Sequence, residues 1–189
     1  MNLTGLVHKK LADFFENRPL NFAVDATLGR GRDALFLYKL LSDTGTVFGF
    51  DIQESALEES DRLLESYISE NNSTAQKKFF LKSHSEMLET LPVESVGKIG
   101  AICFNLGWLP LSDHSISTNS STTLEALEQS LKVMERGNSV LSVLSYRGHT
   151  GGYEEFEVVR NFFSNNLEET EIFGDVDNPL SPILFFAKF

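Results

Sequence analysis

Apolar residues along this chain recur at two different spacings, and each change of spacing marks a predicted element. Residues 1–20 carry Val7 and Leu11 at helical spacing, which predicts an amphipathic N-terminal helix. Thr122 and Glu125 predict a capping box at the start of a later helix. The predicted strands cover residues 21–25, 46–51, 79–81, 100–106, 139–144, 171–173 and 183–186. The predicted helices between them cover residues 34–41, 57–68, 124–134 and 156–163.

This order of elements predicts an α/β fold with a mostly parallel seven-stranded sheet and helices on both faces. The run 100–106 is apolar without alternation, as expected of a central strand covered on both faces. Only a turn at Asn178 and Pro179 separates the last two predicted strands, so we expect a hairpin with an antiparallel C-terminal edge strand. We expect a single domain over residues 1–189, without internal repeats or linkers.

Composition narrows the class of protein. The chain has 189 residues, of which 41% are hydrophobic and 23% charged, as is typical of a folded globular protein. Its single cysteine, Cys103, excludes an internal disulfide bond and a zinc site built from several thiolates. No apolar run approaches the roughly 20 residues of a membrane span, and the N-terminus lacks the order of a signal peptide. We therefore expect a cytoplasmic protein with no membrane partner and no metal.

The net charge limits how the chain could bind nucleic acid. Sixteen basic and 27 acidic residues give a net charge of −11. A protein that binds nucleic acid over a broad surface is usually basic, because phosphate neutralisation supplies most of the nonspecific affinity. This composition argues against a general DNA or RNA binder and leaves room for a small local patch. Six basic residues could form that patch: Lys9, Lys10, Arg18, Arg30, Arg32 and Arg147.

The loop after the first predicted strand carries the clearest candidate chemistry. Gly29 and Gly31 would let backbone N–H groups approach a ligand at the N-terminus of the following helix. Asp51 ends the second strand, where an acid can accept hydrogen bonds from the ribose hydroxyls of an adenosine cofactor. Alternatively, the glycines only form a tight turn and Asp51 only caps the next helix. The combination on successive strands favours a nucleoside cofactor.

Two features of this loop favour S-adenosylmethionine over NAD. A dinucleotide-binding loop usually has three glycines, whereas this loop has two. An acid at the strand end, Asp25, can hold the ammonium group of a methionine moiety, which NAD lacks.

After the third strand, His84 and Ser85 lie where residues that contact adenine often occur. His8, on the N-terminal helix, is expected at the surface.

Candidate substrate residues follow the central predicted strand. The amide of Asn105 and the backbone near Gly107 would face the crevice beyond the strand ends. Trp108 could stack on a base, or it could be a core residue. Asp113 and His114 lie in a Ser/Thr-rich stretch, which is either a loop that closes over substrate or a plain solvated loop.

A second group of candidates follows the fifth predicted strand. Tyr146 offers a stacking surface and Arg147 offers a cation for phosphate. His149 lies between glycines, an unusual place for a purely structural histidine. Glu154 and Glu155 fall in the first turn of the next helix, where the helix dipole favours acids. The residues that follow the four strand ends, at Asp25, Asp51, Leu106 and Tyr146, should converge on one crevice.

Together these segments resemble the YtqB/MnmM family of rRNA methylase-like proteins, which methylate tRNA. The resemblance runs from about residue 21 to residue 160. It rests on Asp25-Ala-Thr27 with Gly29-x-Gly31-x-Asp33, Phe50-Asp-Ile-Gln53, Phe104-Asn-Leu-Gly107 with Leu109-Pro110, Thr122-Thr-Leu124, and Gly148-His-x-Gly-Gly152 with Glu155. The chain departs from the family at Leu111-Ser112, where the family has two glycines, and in the more basic loop at Arg30 and Arg32.

The resemblance implies a class I Rossmann-like methyltransferase that uses S-adenosylmethionine and acts on the wobble uridine of tRNA. It would convert 5-aminomethyl-(2-thio)uridine to the 5-methylaminomethyl form. The implied cofactor residues are Asp25, Thr27, Gly29, Gly31, Asp33, Asp51, Gln53, His84, Ser85, Asn105, Leu106 and Gly107. The catalytic candidates are Asn105, Asp113 and His149, and the substrate candidates are Trp108, His114, Tyr146, Arg147 and Glu155.

Two other functions remain open at this point. A small-molecule methyltransferase would share the cofactor half of the site and would explain the acidic composition. A non-catalytic protein of the same fold would bind S-adenosylmethionine without turnover. The sequence also leaves open whether the chain forms a homodimer.

Overall fold

One seven-stranded sheet runs through the computed structural model, which describes residues 2–107 and 118–189. The strands are β1 (Leu20–Asp25), β2 (Leu41–Asp51), β3 (Gln76–Leu81), β4 (Ala101–Leu106), β5 (Val140–Ser145), β6 (Glu169–Phe173) and β7 (Ile183–Lys188). The helices are α1 (Leu3–Phe15), α2 (Arg32–Leu40), α3 (Glu54–Asn71), α4 (Met87–Thr90), α5 (Ser120–Val133) and α6 (Gly152–Asn166). Short 3₁₀ turns cover His84–Glu86 and Val93–Ser95.

The strand order is β3-β2-β1-β4-β5-β7-β6, and the first five strands of that order are parallel. The expected antiparallel C-terminal strand is confirmed, since β7 runs antiparallel to both β5 and β6. Its expected position at the edge is wrong, because β7 lies between these two strands and β6 forms the edge. Burial explains why β7 lies inside the sheet and β6 at its edge. β7 is buried from its first residue to its fifth, whereas β6 is mostly exposed.

Each face of the sheet carries its own apolar layer. On one face, Phe104 of β4 and Phe185 of β7 belong to a cluster with Leu127 of α5 and Phe163 of α6. On the other face, a second cluster joins the sheet to the first three helices. Its fully buried members include Leu11 of α1, Leu37 of α2 and Leu64 of α3. The prediction of helices on both faces is therefore confirmed.

The start of α5 differs from the prediction. Asn119 is the capping residue, and its side-chain oxygen accepts hydrogen bonds from the backbone amides of Ser121 and Thr122 at 3.1 and 3.2 Å. The expected capping box at Thr122 and Glu125 is wrong, because Asn119, three positions before Thr122, satisfies these amides. Within residues 2–107 and 118–189, no helix is both long enough and apolar enough to cross a membrane.

Candidate active site

A pocket of about 740 Å³ opens beyond the carboxyl ends of β1, β2, β4 and β5. The segments that follow these four strands all contribute to its lining, so the predicted convergence is confirmed. The cause is the parallel direction of the four strands, which brings their carboxyl ends to one edge of the sheet. The lining residues that the sequence had assigned to cofactor or substrate are Asp25, Thr27, Gly29, Asp33, Asp51, Gln53, His84, Asn105, Gly107 and Tyr146.

The two glycines of the first loop have different tasks. Gly29 lines the pocket, and its backbone amide donates to Asp51 Oδ2 at 2.9 Å. Gly31 does not line the pocket; it has a φ of 70° at the N-terminus of α2. A Cβ atom there would lie 2.7 to 2.9 Å from atoms of Ser60 on α3. Gly31 is therefore needed for close packing of the loop against α3.

Asp51 ties the ends of two strands together. Its Oδ2 accepts from the amide of Gly29, and its Oδ1 accepts from the amide of Gln53 at 3.0 Å. Burial raises the pKa of Asp51, and the backbone amides oppose that change. Each carboxylate oxygen has a second lone pair, so the side chain can still accept hydrogen bonds from two hydroxyl groups.

Asp25 is an acid of the pocket whose pKa lies well above its ordinary value. Its carboxyl is buried, and burial followed by repulsion from Asp33 raises its pKa from 3.8 to about 8. The backbone amides of Thr27 and Ala34 act in the opposite direction. A cation beside this carboxyl would favour its ionised form, so Asp25 is suited to bind a positively charged group.

Asn105 is held at the end of β4 by two hydrogen bonds. Its backbone amide donates to Thr27 Oγ1 at 2.7 Å, and its side-chain Nδ2 donates to Asp33 Oδ2 at 2.6 Å. The other oxygen of Asp33 lies 2.6 Å from Nε2 of His8. The expectation that His8 is a surface residue is wrong. Its ring stacks on that of Phe36 with 3.8 Å between the ring centroids, and it contacts Asp33.

The adenine side of the predicted cofactor site contains one buried histidine. Burial lowers the pKa of His84 to about 4, so the ring is neutral at pH 7. Its Nε2 is buried and has no hydrogen-bond partner among the described residues. Ser85 and Leu106 do not contribute to the pocket lining. The Ser85 carbonyl accepts from Gln129, and the Leu106 carbonyl accepts from the Tyr146 amide at 3.0 Å.

The structure corrects the expected role of Arg147 in phosphate binding. Only 8% of this residue is exposed. Its guanidinium donates to the carbonyl oxygens of Asp175, Val176, Asn178 and Ser181 at 2.6 to 3.2 Å. Since these bonds use all three nitrogens, Arg147 fixes the loop between β6 and β7 and is not presented to a substrate.

Two further candidates lie away from the pocket lining. Glu155 is buried and accepts from the hydroxyls of Thr118 at 2.8 Å and Thr123 at 2.6 Å, so its assignment to substrate binding is wrong. Burial raises its pKa, and these bonds oppose the change. The ring of His149 packs against Gly152 at the start of α6, outside the pocket lining. That position does not bring His149 to the pocket as a proton acceptor.

Some pocket residues were missed by sequence analysis, and three candidates lie beyond the structure. Trp108, Asp113 and His114 fall outside the described residues. The missed lining residues include Thr4, Ile52, Lys82, Ser83, Thr118, Asn119 and Leu180. The Ser/Thr-rich stretch was a signal for the residues before α5, but no sequence signal marked Leu180.

The chain is similar in sequence to methylases. A family model described as "Putative rRNA methylase" matches residues 47–173. The chain is 36% identical over 171 residues to "tRNA (mnm(5)s(2)U34)-methyltransferase, chloroplastic" of Arabidopsis thaliana. That alignment covers 86% of this chain and 61% of the relative, so the chain spans less than two thirds of the relative's length.

Two solved structures share the fold over nearly their whole length. One is described as a "putative rRNA-methylase" from Clostridium thermocellum, with a TM-score of 0.82 and 28% identity. The match covers 100% of this chain and 98% of that one. The other is an rRNA methylase from Streptococcus thermophilus, with a TM-score of 0.68 and 26% identity, covering 95% of this chain and 93% of that one.

Proposed function

The chain belongs to the family described as "Putative rRNA methylase", and on that premise we propose that it is an S-adenosylmethionine-dependent tRNA methyltransferase. Its substrate would be the aminomethyl group of 5-aminomethyl-(2-thio)uridine at the wobble position. The name of the plant relative supports this substrate. The observation that carries the proposal is the side-chain amide of Asn105, which is fixed by Asp33 inside a pocket at the strand ends.

The pocket residues fit the proposed cofactor in charge and in hydrogen-bonding capacity. Asp51 can accept from two ribose hydroxyls, and the buried Asp25 can bind the ammonium of the methionine moiety. The unpartnered Nε2 of His84 can accept a hydrogen bond from the adenine edge, since the single N–H of the neutral ring donates to the backbone of Ala26. Ile52, exposed at the pocket, offers an apolar surface for the base.

In methyl transfer to an aliphatic amine, the main task of the protein is to position the amine. S-adenosylmethionine supplies an electrophilic methyl group, so no protein nucleophile is needed. The protein must hold the amine in line and keep it unprotonated. The oxygen of the Asn105 amide can accept a hydrogen bond from the amine and stabilise the positive charge that develops on nitrogen. Asp113 stays a predicted proton acceptor.

The proposal is tested directly on the nucleoside. The protein is incubated with S-adenosylmethionine and tRNA that carries 5-aminomethyluridine, and the digested nucleosides are weighed by mass spectrometry. A gain of one methyl group at that nucleoside supports the proposal. If cofactor binding is measured in parallel and no methyl group is gained, the substrate assignment is refuted and a small-molecule acceptor is favoured.

We expect tRNA binding to depend only weakly on salt. Among residues 2–107 and 118–189, three cationic side chains line the pocket, namely Arg30, Arg32 and Lys82. Lys82 also lies 3.3 Å from Glu86, and Arg147 is buried, so few phosphate contacts are available here. Three contacts to single-stranded RNA predict a slope of log K against log salt of about −2. The slope is measured by fluorescence anisotropy, and a value near −10 would contradict our expectation that the protein contacts only the anticodon region of tRNA.

Leu180 is expected to contact the substrate base. It lines the pocket, 77% of it is exposed, and its loop is anchored by Arg147. We expect Leu180→Ala to raise KM for tRNA about fivefold, because an apolar contact with a base is lost. Val176 lies in the same loop, is 57% exposed and is outside the pocket lining, so Val176→Ala is the matched control. Steady-state kinetics would contradict the assignment if both variants shifted KM equally.

A further inference from the structure

His8 joins the N-terminal helix to the floor of the pocket through a chain of three side chains. Its Nε2 lies 2.6 Å from Asp33 Oδ1, and Asp33 Oδ2 lies 2.6 Å from Nδ2 of Asn105. Each oxygen of Asp33 therefore has one side-chain donor. Asp33 and Asn105 both line the pocket, whereas His8 approaches from α1 behind them.

The chemistry of Asp33 fixes the direction of both hydrogen bonds. Asp33 Oδ2 is the acceptor in its bond with Asn105, so Asn105 turns its NH₂ group, and not its oxygen, towards Asp33. The amide oxygen is then the group of Asn105 left for a ligand in the pocket. If Asp33 rotated, the amide of Asn105 could turn over and present a donor instead of an acceptor.

Two neighbours of Asp33, Asp25 and His8, act on its position in opposite ways. Asp25 lies close enough to repel it, as the raised pKa of Asp25 shows. The bond from His8 opposes that repulsion by giving Oδ1 a donor on the side of α1. Stacking on Phe36 at 3.8 Å, with the rings 3° from parallel, keeps the imidazole in place for this bond.

We propose that His8 is a positioning residue for methyl transfer, which holds Asp33 so that Asn105 presents its amide oxygen to the substrate amine. This inference rests on the proposed function. It assigns to α1 a part in the reaction in addition to its packing against the sheet. The side chain of Thr4, one turn earlier, lines the same pocket and hydrogen-bonds to Tyr146.

Two substitutions separate the hydrogen bond of His8 from its stacking. His8→Phe keeps an aromatic ring on Phe36 and removes the donor to Asp33. His8→Gln removes the ring and keeps an amide N–H at a reach similar to that of Nε2. We expect His8→Phe to lower kcat about tenfold, with KM for tRNA and Kd for S-adenosylmethionine changed less than twofold. We expect His8→Gln to recover at least half of the lost kcat.

A readout that does not need activity completes the test. The side-chain amide signals of Asn105 are assigned in a ¹⁵N–¹H NMR spectrum by their loss in Asn105→Ala. We expect these signals to shift in His8→Phe and to stay near their original positions in His8→Gln. Unshifted signals in His8→Phe, an unchanged kcat, or equal losses in both variants would overturn the positioning role. If the unsubstituted protein methylates no tRNA, the proposed function fails, and the NMR comparison alone decides whether His8 sets the amide.

Discussion

Replacing Gly31 with alanine is expected to destabilise the protein by about 3 kcal/mol and to abolish tight cofactor binding. The left-handed φ of 70° disfavours any residue with a Cβ atom. The new Cβ would also meet Oγ, Cβ and Cα of Ser60 at 2.7, 2.8 and 2.9 Å, so α3 or the loop must move. Asp33 lies two positions later in the first turn of α2, and its displacement would disturb the pocket. Thermal melts should show a fall of about 8 °C.

Gly137 provides a matched control for backbone strain. Its φ is 74°, nearly that of Gly31, but a Cβ atom there would meet nothing within 4 Å. Gly137→Ala should therefore cost only about 1 kcal/mol and leave cofactor affinity unchanged. The difference between the two variants measures the clash with Ser60. Equal melting temperatures for the two variants would show that the contact between the loop and α3 is not tight.

A double-mutant cycle with Ser60 tests the same contact from the other side. Ser60→Gly removes the Oγ and Cβ atoms that the new side chain would meet, although Cα remains at 2.9 Å. Alanine at position 31 should therefore cost less in the presence of Ser60→Gly than alone. Additive effects of the two substitutions would place the damage in the backbone strain of position 31.

The sequence was sufficient to predict the parallel sheet and the position of the pocket. Apolar periodicity locates strands and helices, and the ends of parallel strands must meet at one edge. Asp25, Asp51 and Asn105 lie in the last two positions of such strands, Tyr146 directly follows one, and all four line the pocket. The family resemblance, carried by the motifs around these residues, is confirmed by the family model.

The errors at Arg147, Glu155 and His8 share a physical cause, which is that tertiary contacts determine the hydrogen-bond partners of polar side chains. Arg147 is bound by carbonyls from a loop about 30 residues later in the chain, and Glu155 is bound by two threonine hydroxyls. His8 pairs with Asp33, 25 positions away. No local pattern reports such long-range partners. The inner position of β7 likewise depends on its pairing with both β5 and β6.

The affinity for S-adenosylmethionine is expected to fall steeply as the pH is lowered from 7.5 to 5.5. Burial and repulsion from Asp33 raise the pKa of Asp25 to about 8, so this carboxyl is mostly protonated in the empty protein at these pH values. If the ammonium of the cofactor requires an ionised Asp25, binding must release a proton. Kd should then rise about tenfold for each pH unit below the pKa, or about a hundredfold over this range.

The stability of the protein without cofactor should follow the opposite trend. Because the folded-state pKa of Asp25 lies above its unfolded value of 3.8, folding takes up a proton. The stability that Asp25 contributes is fully present below about pH 4 and is lost as the pH rises to about 8. The side chain in Asp25→Asn cannot titrate. As the pH rises from about 4 to about 8, the melting temperature of the unsubstituted protein should therefore fall relative to that of Asp25→Asn. Glu155, whose pKa is also raised, is present in both proteins and cancels in the comparison.

Calorimetry measures both the affinity and the proton release. Titrations at pH 7 in buffers of different ionisation enthalpy should show close to one proton released per cofactor bound, and none for Asp25→Asn. Asp33→Asn removes the repelling charge, so it should shift the break in the Kd profile to lower pH. A flat Kd profile in the unsubstituted protein, with no proton release, would mean that the ammonium of the cofactor does not bind Asp25. Asp51, His84 and Ile52 would then have to position the cofactor without a contact to its ammonium group.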